Sequence, residues 1–141
     1  MKLAIVAVGR LKEAALRTVL DDYLGRLSRY VPVVEKEVKT GGDLADAVPP
    51  GAFVVAMEVE GDSVTSTELA RRVERWGSRG KGVVAFLIGG ADGIPKDLSA
   101  RADARLSLSK LTLPHRLARV LLAEQLYRAM TILRGEPYAR E

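Results

Sequence analysis

Apolar residues recur along this chain with two different spacings, and the switches between them lay out its elements. Leu3 to Val8 is a short apolar run closed by Gly9, and reads as a buried strand. From Glu13 to Tyr30, the residues Leu16, Val19, Leu20, Tyr23, Leu24 and Leu27 return at three- and four-residue steps, which gives a helix with one apolar face. Pro32 blocks its continuation. Val33 to Val38 predicts a second strand. Its apolar pattern is broken by Glu and Lys, which places it near a sheet edge. Thr40 to Pro50 reads as a loop with one helical turn around Leu44 to Val48, and Pro49-Pro50-Gly51 is a firm break.

A third strand is expected over Ala52 to Val59. Thr65-Ser66-Thr67-Glu68 fits a capping box, and the helix it opens carries Leu69, Val73 and Trp76 on one face and ends near Gly77 or Gly80. Val83 to Ile88 is apolar throughout, as a central parallel strand covered on both faces must be. Gly89-Gly90-Ala91-Asp92-Gly93 follows, and Pro95 suits the first turn of a short helix reaching about Ala102. Ala104 to Leu108 is a fifth strand. Pro114 to Leu133 is a long helix, with Gly135 as its stop. The alternation predicts one α/β domain over residues 1–141, a mostly parallel sheet with helices on both faces.

The last helix is apolar most of the way round, through Leu117, Val120, Leu121, Leu122, Leu126, Met130 and Ile132. Such a helix is buried on more than one side. That predicts a homodimer through this helix, against the alternative of a helix wholly buried in one subunit. Composition narrows the chemistry. With no cysteine, disulfides, thiolate metal sites and cysteine nucleophiles are excluded. A single histidine argues against a metal centre. Lys and Arg number 22 against 18 Asp and Glu, a formal charge of +4 that is compatible with a nucleic-acid partner. No long apolar region marks a signal peptide or a membrane span, so a soluble cytoplasmic protein is expected.

Chemistry concentrates in two places. Leu106 to Leu122 runs from a strand through a loop that alternates apolar side chains with hydroxyls, then into an apolar helix with His115, Arg116 and Arg119 at its start. Apolar cover with free backbone polar groups suits a flat, partly polar ligand such as an adenine ring, and a basic helix start suits an anion. The second place is Gly89–Gly93, at the carboxyl end of a strand, where open α/β sheets bind ligands. The alternative there is a plain strand-to-helix turn. No Gly-x-Gly-x-x-Gly or Walker lysine pattern is present, which disfavours dinucleotide and P-loop sites. Met57 and Glu58 close the third strand at the same sheet edge as Gly89 and either line that pocket or simply end the strand. His115 reads as a proton or hydrogen-bond acceptor, or as a structural histidine. Arg119, Arg128, Arg134 and Arg140 offer cations suited to phosphate, although Glu124 stands four residues before Arg128 and can neutralise it. Tyr138 either stacks on a base or anchors the terminus.

Together, four stretches resemble the ribosomal RNA large-subunit methyltransferase H family, of the SPOUT superfamily. They are the opening Lys2-Leu3…Val6-Ala7-Val8-Gly9, the run Leu87-Ile88-Gly89-Gly90-Ala91-Asp92-Gly93, the run Leu106-Ser107-Leu108-Ser109-Lys110-Leu111-Thr112-Leu113-Pro114-His115, and the ending Glu124-Gln125-Leu126-Tyr127-Arg128-Ala129…Pro137-Tyr138. The resemblance spans essentially the whole chain. It implies a SPOUT-type α/β domain with a C-terminal trefoil knot, working as a homodimer. It implies S-adenosylmethionine as methyl donor and N3 of a pseudouridine in 23S rRNA, on the assembled ribosome, as acceptor. Carried over by position, Met57, Gly89, Leu108, Ser109, Lys110, Leu111, Thr112 and Leu113 would contact the donor. His115, Arg119, Arg128, Tyr138 and Arg140 would face RNA, with His115 and Arg119 as the catalytic candidates. His115, or a water near Arg119, would take the acceptor's proton, and Arg119 would stabilise charge developing on the base. One departure stands out: Ala139 occupies the place where relatives commonly carry a tail histidine, so no base is assigned there. A non-enzymatic RNA- or ribosome-binding factor is the competing reading. A nicotinamide oxidoreductase is disfavoured by the missing glycine fingerprint.

Overall fold

Five parallel strands form one sheet, in which the strands met along the chain are ordered second, first, fourth, third, fifth. The computed structural model describes residues 1–79 and 81–140. The strands are β1 (Lys2–Val8), β2 (Val33–Val38), β3 (Phe53–Ser63), β4 (Val83–Ile88) and β5 (Ala104–Ser107). The helices are α1 (Ala14–Leu27), α2 (Leu44–Ala47), α3 (Ser66–Arg79), α4 (Lys96–Arg101) and α5 (His115–Leu133), with 3₁₀ turns at Gly41–Asp43 and Pro137–Arg140. The expected α/β class and the covered central strand are both found. β4 lies between β1 and β3, and the polar β2 is an edge strand.

Strand alternation divides the apolar residues between two layers. Leu3, Ile5, Val84, Phe86 and Val55 point to one face, where they pack with Leu69, Val73 and Trp76 of α3 and Leu122, Leu126 and Met130 of α5. Val6 and Leu87 point to the other face and meet Leu44 of α2 and Leu98 of α4. α5 forms a second seam with α1, where Ala123 and Val120 meet Leu11 and Leu20. The long helix is therefore held on two sides within one chain. Its Leu117 (39% exposed) and Leu121 (42% exposed) face outward.

Local chemistry explains the boundaries. The Glu68 amide donates to the Thr65 hydroxyl at 3.1 Å, the cap expected for α3. Gly80, one of the two stops considered for that helix, lies outside the described residues. Gly135 adopts φ +67° after α5, the left-handed conformation that ends a helix at little cost for glycine. α1 ends at Leu27, the last residue of its apolar face and three short of the expected Tyr30, because the chain turns over Ser28–Tyr30 before Pro32. β3 runs on to Ser63, past the expected end at Val59. Its pairing with β5 is interrupted, with Met57 and Asp62 both opposite Leu106, so residues 58–61 bow out of the ladder. Gly61 permits this by lying flat on β5: a Cβ there would sit 2.6 Å from the Leu106 nitrogen.

Candidate functional site

Parallel register brings the sequence-distant candidates to one edge. Ala7 is level with Ile88, Ile88 with Met57, and Met57 with Leu106, so the carboxyl ends of four strands line up. A cleft of about 610 Å³ opens there, within the size range of small-molecule sites. Three walls enclose it: the bowed segment from Met57 to Glu60, the Gly89–Ile94 turn, and the loop from Ser107 into the first turn of α5.

The glycine turn is built for closeness to itself. The Gly93 amide donates to the Gly90 carbonyl at 3.0 Å, and Gly93 sits at φ +74°. A Cβ on Gly89 would lie 2.6 Å from the Gly93 oxygen and 2.7 Å from the Ile94 nitrogen. Gly89 is thus required by the closure of the turn that forms the wall, whatever a ligand needs. The opposite loop is shaped by its hydroxyls. Ser107 Oγ donates to the Ser109 carbonyl at 2.8 Å, and the Leu111 amide donates to Ser109 Oγ at 2.9 Å. With those groups engaged inside the loop, Leu108, Leu111 and Leu113 supply apolar lining.

Of the eight positions expected to hold a donor, Met57, Gly89, Leu108, Ser109, Leu111, Thr112 and Leu113 line the cleft. Lys110 is exposed and does not. His115 lines it from the first turn of α5, with Ala118 one turn further on. Glu58, Glu60 and Asp92 also line the cleft, as does Lys96. Glu60 and Lys96 went unmarked in the sequence, and Asp92 was marked only as part of the glycine turn, because the bow in β3 and the return of the turn put them there. Among the described residues, no group of three or more His, Asp or Glu is placed to hold a metal ion. No described helix is long and apolar enough to cross a membrane.

The expectation for Arg119 needs correction. Arg119 is 1% exposed and does not line the cleft. Its Nη1 donates to the Gly9 carbonyl at 3.0 Å, and its Nη2 donates to Glu35 at 2.6 Å and to Glu37. A guanidinium enclosed in this way is not presented to RNA or to a reacting base. It is held because the i and i+2 carboxylates of the edge strand share one face. Burial alone would push the Glu37 carboxyl up, but the Leu11 amide and the Arg119 guanidinium together hold it below its ordinary value.

Arg128, Tyr138 and Arg140, expected to face RNA, lie outside the cleft lining. Tyr138 folds back on α5, its hydroxyl donating to Glu124 at 2.7 Å and its ring centroid 4.6 Å from that of Tyr127. Arg128 bonds the same Glu124 carboxylate and stacks over Tyr138. Arg140 is exposed in the final turn.

Comparison with known proteins decides the family. The family described as "Predicted SPOUT methyltransferase" matches residues 1–139. The protein named "Ribosomal RNA large subunit methyltransferase H" from Sorangium cellulosum (strain So ce56) is 60% identical over 144 residues, covering 99% of each chain. This chain belongs to the ribosomal RNA large-subunit methyltransferase H family of SPOUT methyltransferases. Solved structures show the same fold at low identity. A probable methylase family protein from Haemophilus influenzae Rd KW20 superposes with a TM-score of 0.62 at 12% identity, covering 96% of this chain and 69% of that one. The structure titled as an AdoMet-bound rRNA methyltransferase from Sinorhizobium meliloti gives 0.50 at 15% identity, covering 89% and 56%. The SPOUT methyltransferase thus places its glycine turn and its Leu108–His115 loop around one cleft.

Proposed function

We propose that this chain uses S-adenosylmethionine to methylate N3 of a pseudouridine in 23S rRNA on the assembled ribosome. One observation carries the reading. Three segments far apart in sequence, around Met57, Gly89 and Leu108–His115, converge on a single cleft of about 610 Å³. The residues suit the donor. Met57, Ile88, Leu108 and Leu113 offer apolar walls to an adenine. Glu58, Glu60 and Asp92 offer negative charge to a sulfonium and an ammonium.

Bound there, S-adenosylmethionine supplies an electrophilic methyl group on a sulfonium that leaves as a neutral thioether. The protein's tasks are then positioning and proton removal. The apolar loop keeps water from the reacting centre. His115, at the cleft edge and free of any burial in the core, takes the N3 proton of the acceptor as the N–C bond forms. Arg140 and the Tyr138 turn lie along α5, away from this subunit's cleft, and contribute to RNA contact from there. Leu117 and Leu121, one turn apart on α5 and both exposed, form the apolar strip that a second copy covers in a homodimer.

The test uses purified protein, methyl-labelled S-adenosylmethionine and ribosomes that lack the modification. Label in 23S rRNA, at the N3 of one pseudouridine, is the expected result. Ribosome binding without label transfer would favour a non-enzymatic ribosome-binding factor and overturn the proposal. Sedimentation at micromolar concentration gives a dimer on this account, and a monomer would remove the homodimer.

A further inference from the structure

The buried Arg119 network ties two walls of the cleft to one point. Arg119 lies one residue beyond Ala118, which lines the cleft, and four beyond His115. Its guanidinium holds the Gly9 carbonyl and the carboxylates of Glu35 and Glu37. Glu37 also accepts from the Leu11 amide at 2.9 Å. Arg17 of α1 closes the cluster on its outer side by bonding Glu35 and, at 2.9 Å, Asp21. The Gly9 end of this clamp reaches the glycine turn as well. The Gly9 amide donates to the Val38 carbonyl at 2.7 Å, and the adjoining Val8 side chain packs where a Cβ of Gly90 would stand 3.0 Å away.

We infer that Arg119, with Glu35 and Glu37, is a positioning element for methyl-donor binding: it fixes the start of α5 against the carboxyl ends of β1 and β2, and so sets the width of the cleft between the Leu113–Ala118 wall and the glycine turn. This rests on the donor reading of the cleft and gives Arg119 a role through its neighbours, with no contact to substrate. The chemistry of the residue fits. The planar guanidinium holds the Gly9 carbonyl from one terminal nitrogen and the two carboxylates from the other, a fixed span that the single nitrogen of a lysine ammonium does not have. A buried ion cluster is weak evidence for stability, since an apolar replacement is often as stable, and its best-attested use is to specify one arrangement.

Two variants separate positioning from stability. Arg119→Lys keeps the charge beside the carboxylates and loses the fork. Arg119→Met combined with Glu35→Gln and Glu37→Gln removes the cluster while leaving no unpaired buried charge. Each is compared with the parent chain for thermal unfolding, for the dissociation constant of S-adenosylmethionine well below the melting temperature, and for steady-state kinetics. The expected result is a folded protein that binds the donor about tenfold more weakly, with a higher KM for donor and a kcat at saturating donor within about threefold of the parent. The amides of residues 113 and 115–118 exchange faster with solvent in both. The triple variant keeps a melting temperature close to the parent's and still shows the weaker donor binding. A parent chain that binds donor, with folded variants that match its dissociation constant, overturns the positioning role alone. A parent chain that binds no donor overturns the reading of the cleft and this inference with it.

Discussion

Replacing Gly89 by alanine tests whether the glycine turn is a wall built by backbone closure. The added Cβ would stand 2.6 Å from the Gly93 oxygen and 2.7 Å from the Ile94 nitrogen. Comfortable contact needs the turn to withdraw by roughly 1 Å. Overpacking of this kind costs about 1–3 kcal/mol. Withdrawal also strains the Gly93-to-Gly90 hydrogen bond at 3.0 Å, worth about 1 kcal/mol. The sum is about 2–4 kcal/mol, which in a domain of this size lowers the melting temperature by roughly 6–20 °C. Because the turn lines the cleft, donor affinity falls at least about tenfold in the protein that remains folded. Gly93→Ala is the matched control. Gly93 has φ +74° but nothing within 4 Å of a Cβ, so it carries only the left-handed strain of about 1–2 kcal/mol. Differential scanning calorimetry and donor titration read both variants. A Gly89→Ala protein with the parent's melting temperature and donor affinity would refute the reasoning.

Other perturbations have equally definite outcomes. His115→Gln lowers methyl transfer by about 100-fold while a donor titration stays near the parent value; undiminished turnover would remove His115 as proton acceptor. Leu126→Ala, at a fully buried position on α5, costs about 2–5 kcal/mol in urea unfolding. Burial, and then the hydrogen bond to Glu124, push the Tyr138 phenol up from its ordinary value of 10.0. A raised pKa means the folded chain holds its proton longer than the unfolded one, so this contribution is complete below pH 10 and is lost as pH rises beyond it. Tyr138→Phe should flatten that alkaline loss in denaturation curves measured between pH 9 and pH 12.

Much of the fold was readable because its signals are local. β4 is an uninterrupted apolar run bounded by glycines, and it forms over Val83–Ile88 as the pattern predicts. The Thr65 cap and the Gly135 stop are set by residues within one turn of each helix end. The cleft was legible where parallel topology alone levels Met57 with Ile88, the residue before Gly89. What escaped the sequence depends on distant partners. Arg119 looks like a surface cation on a basic helix start, yet its carboxylate partners lie 84 and 82 residues away. The only hint was a pair of glutamates alternating on an edge strand, beside an arginine flanked by apolar helix positions. Glu60 and Asp92 enter the cleft through the bow that Gly61 permits and through the closure of the glycine turn. Lys110 turns outward because Ser109 caps the loop from the inside.

Hydrogen–deuterium exchange with and without S-adenosylmethionine reads the cleft most directly. Donor binding should slow exchange in three stretches, residues 57–60, 89–94 and 107–115, and leave the distal half of α5 unchanged. Exchange that is identical with and without donor, or protection confined to the α1–α5 side of the molecule, would contradict the claim that these three segments form the methyl-donor site.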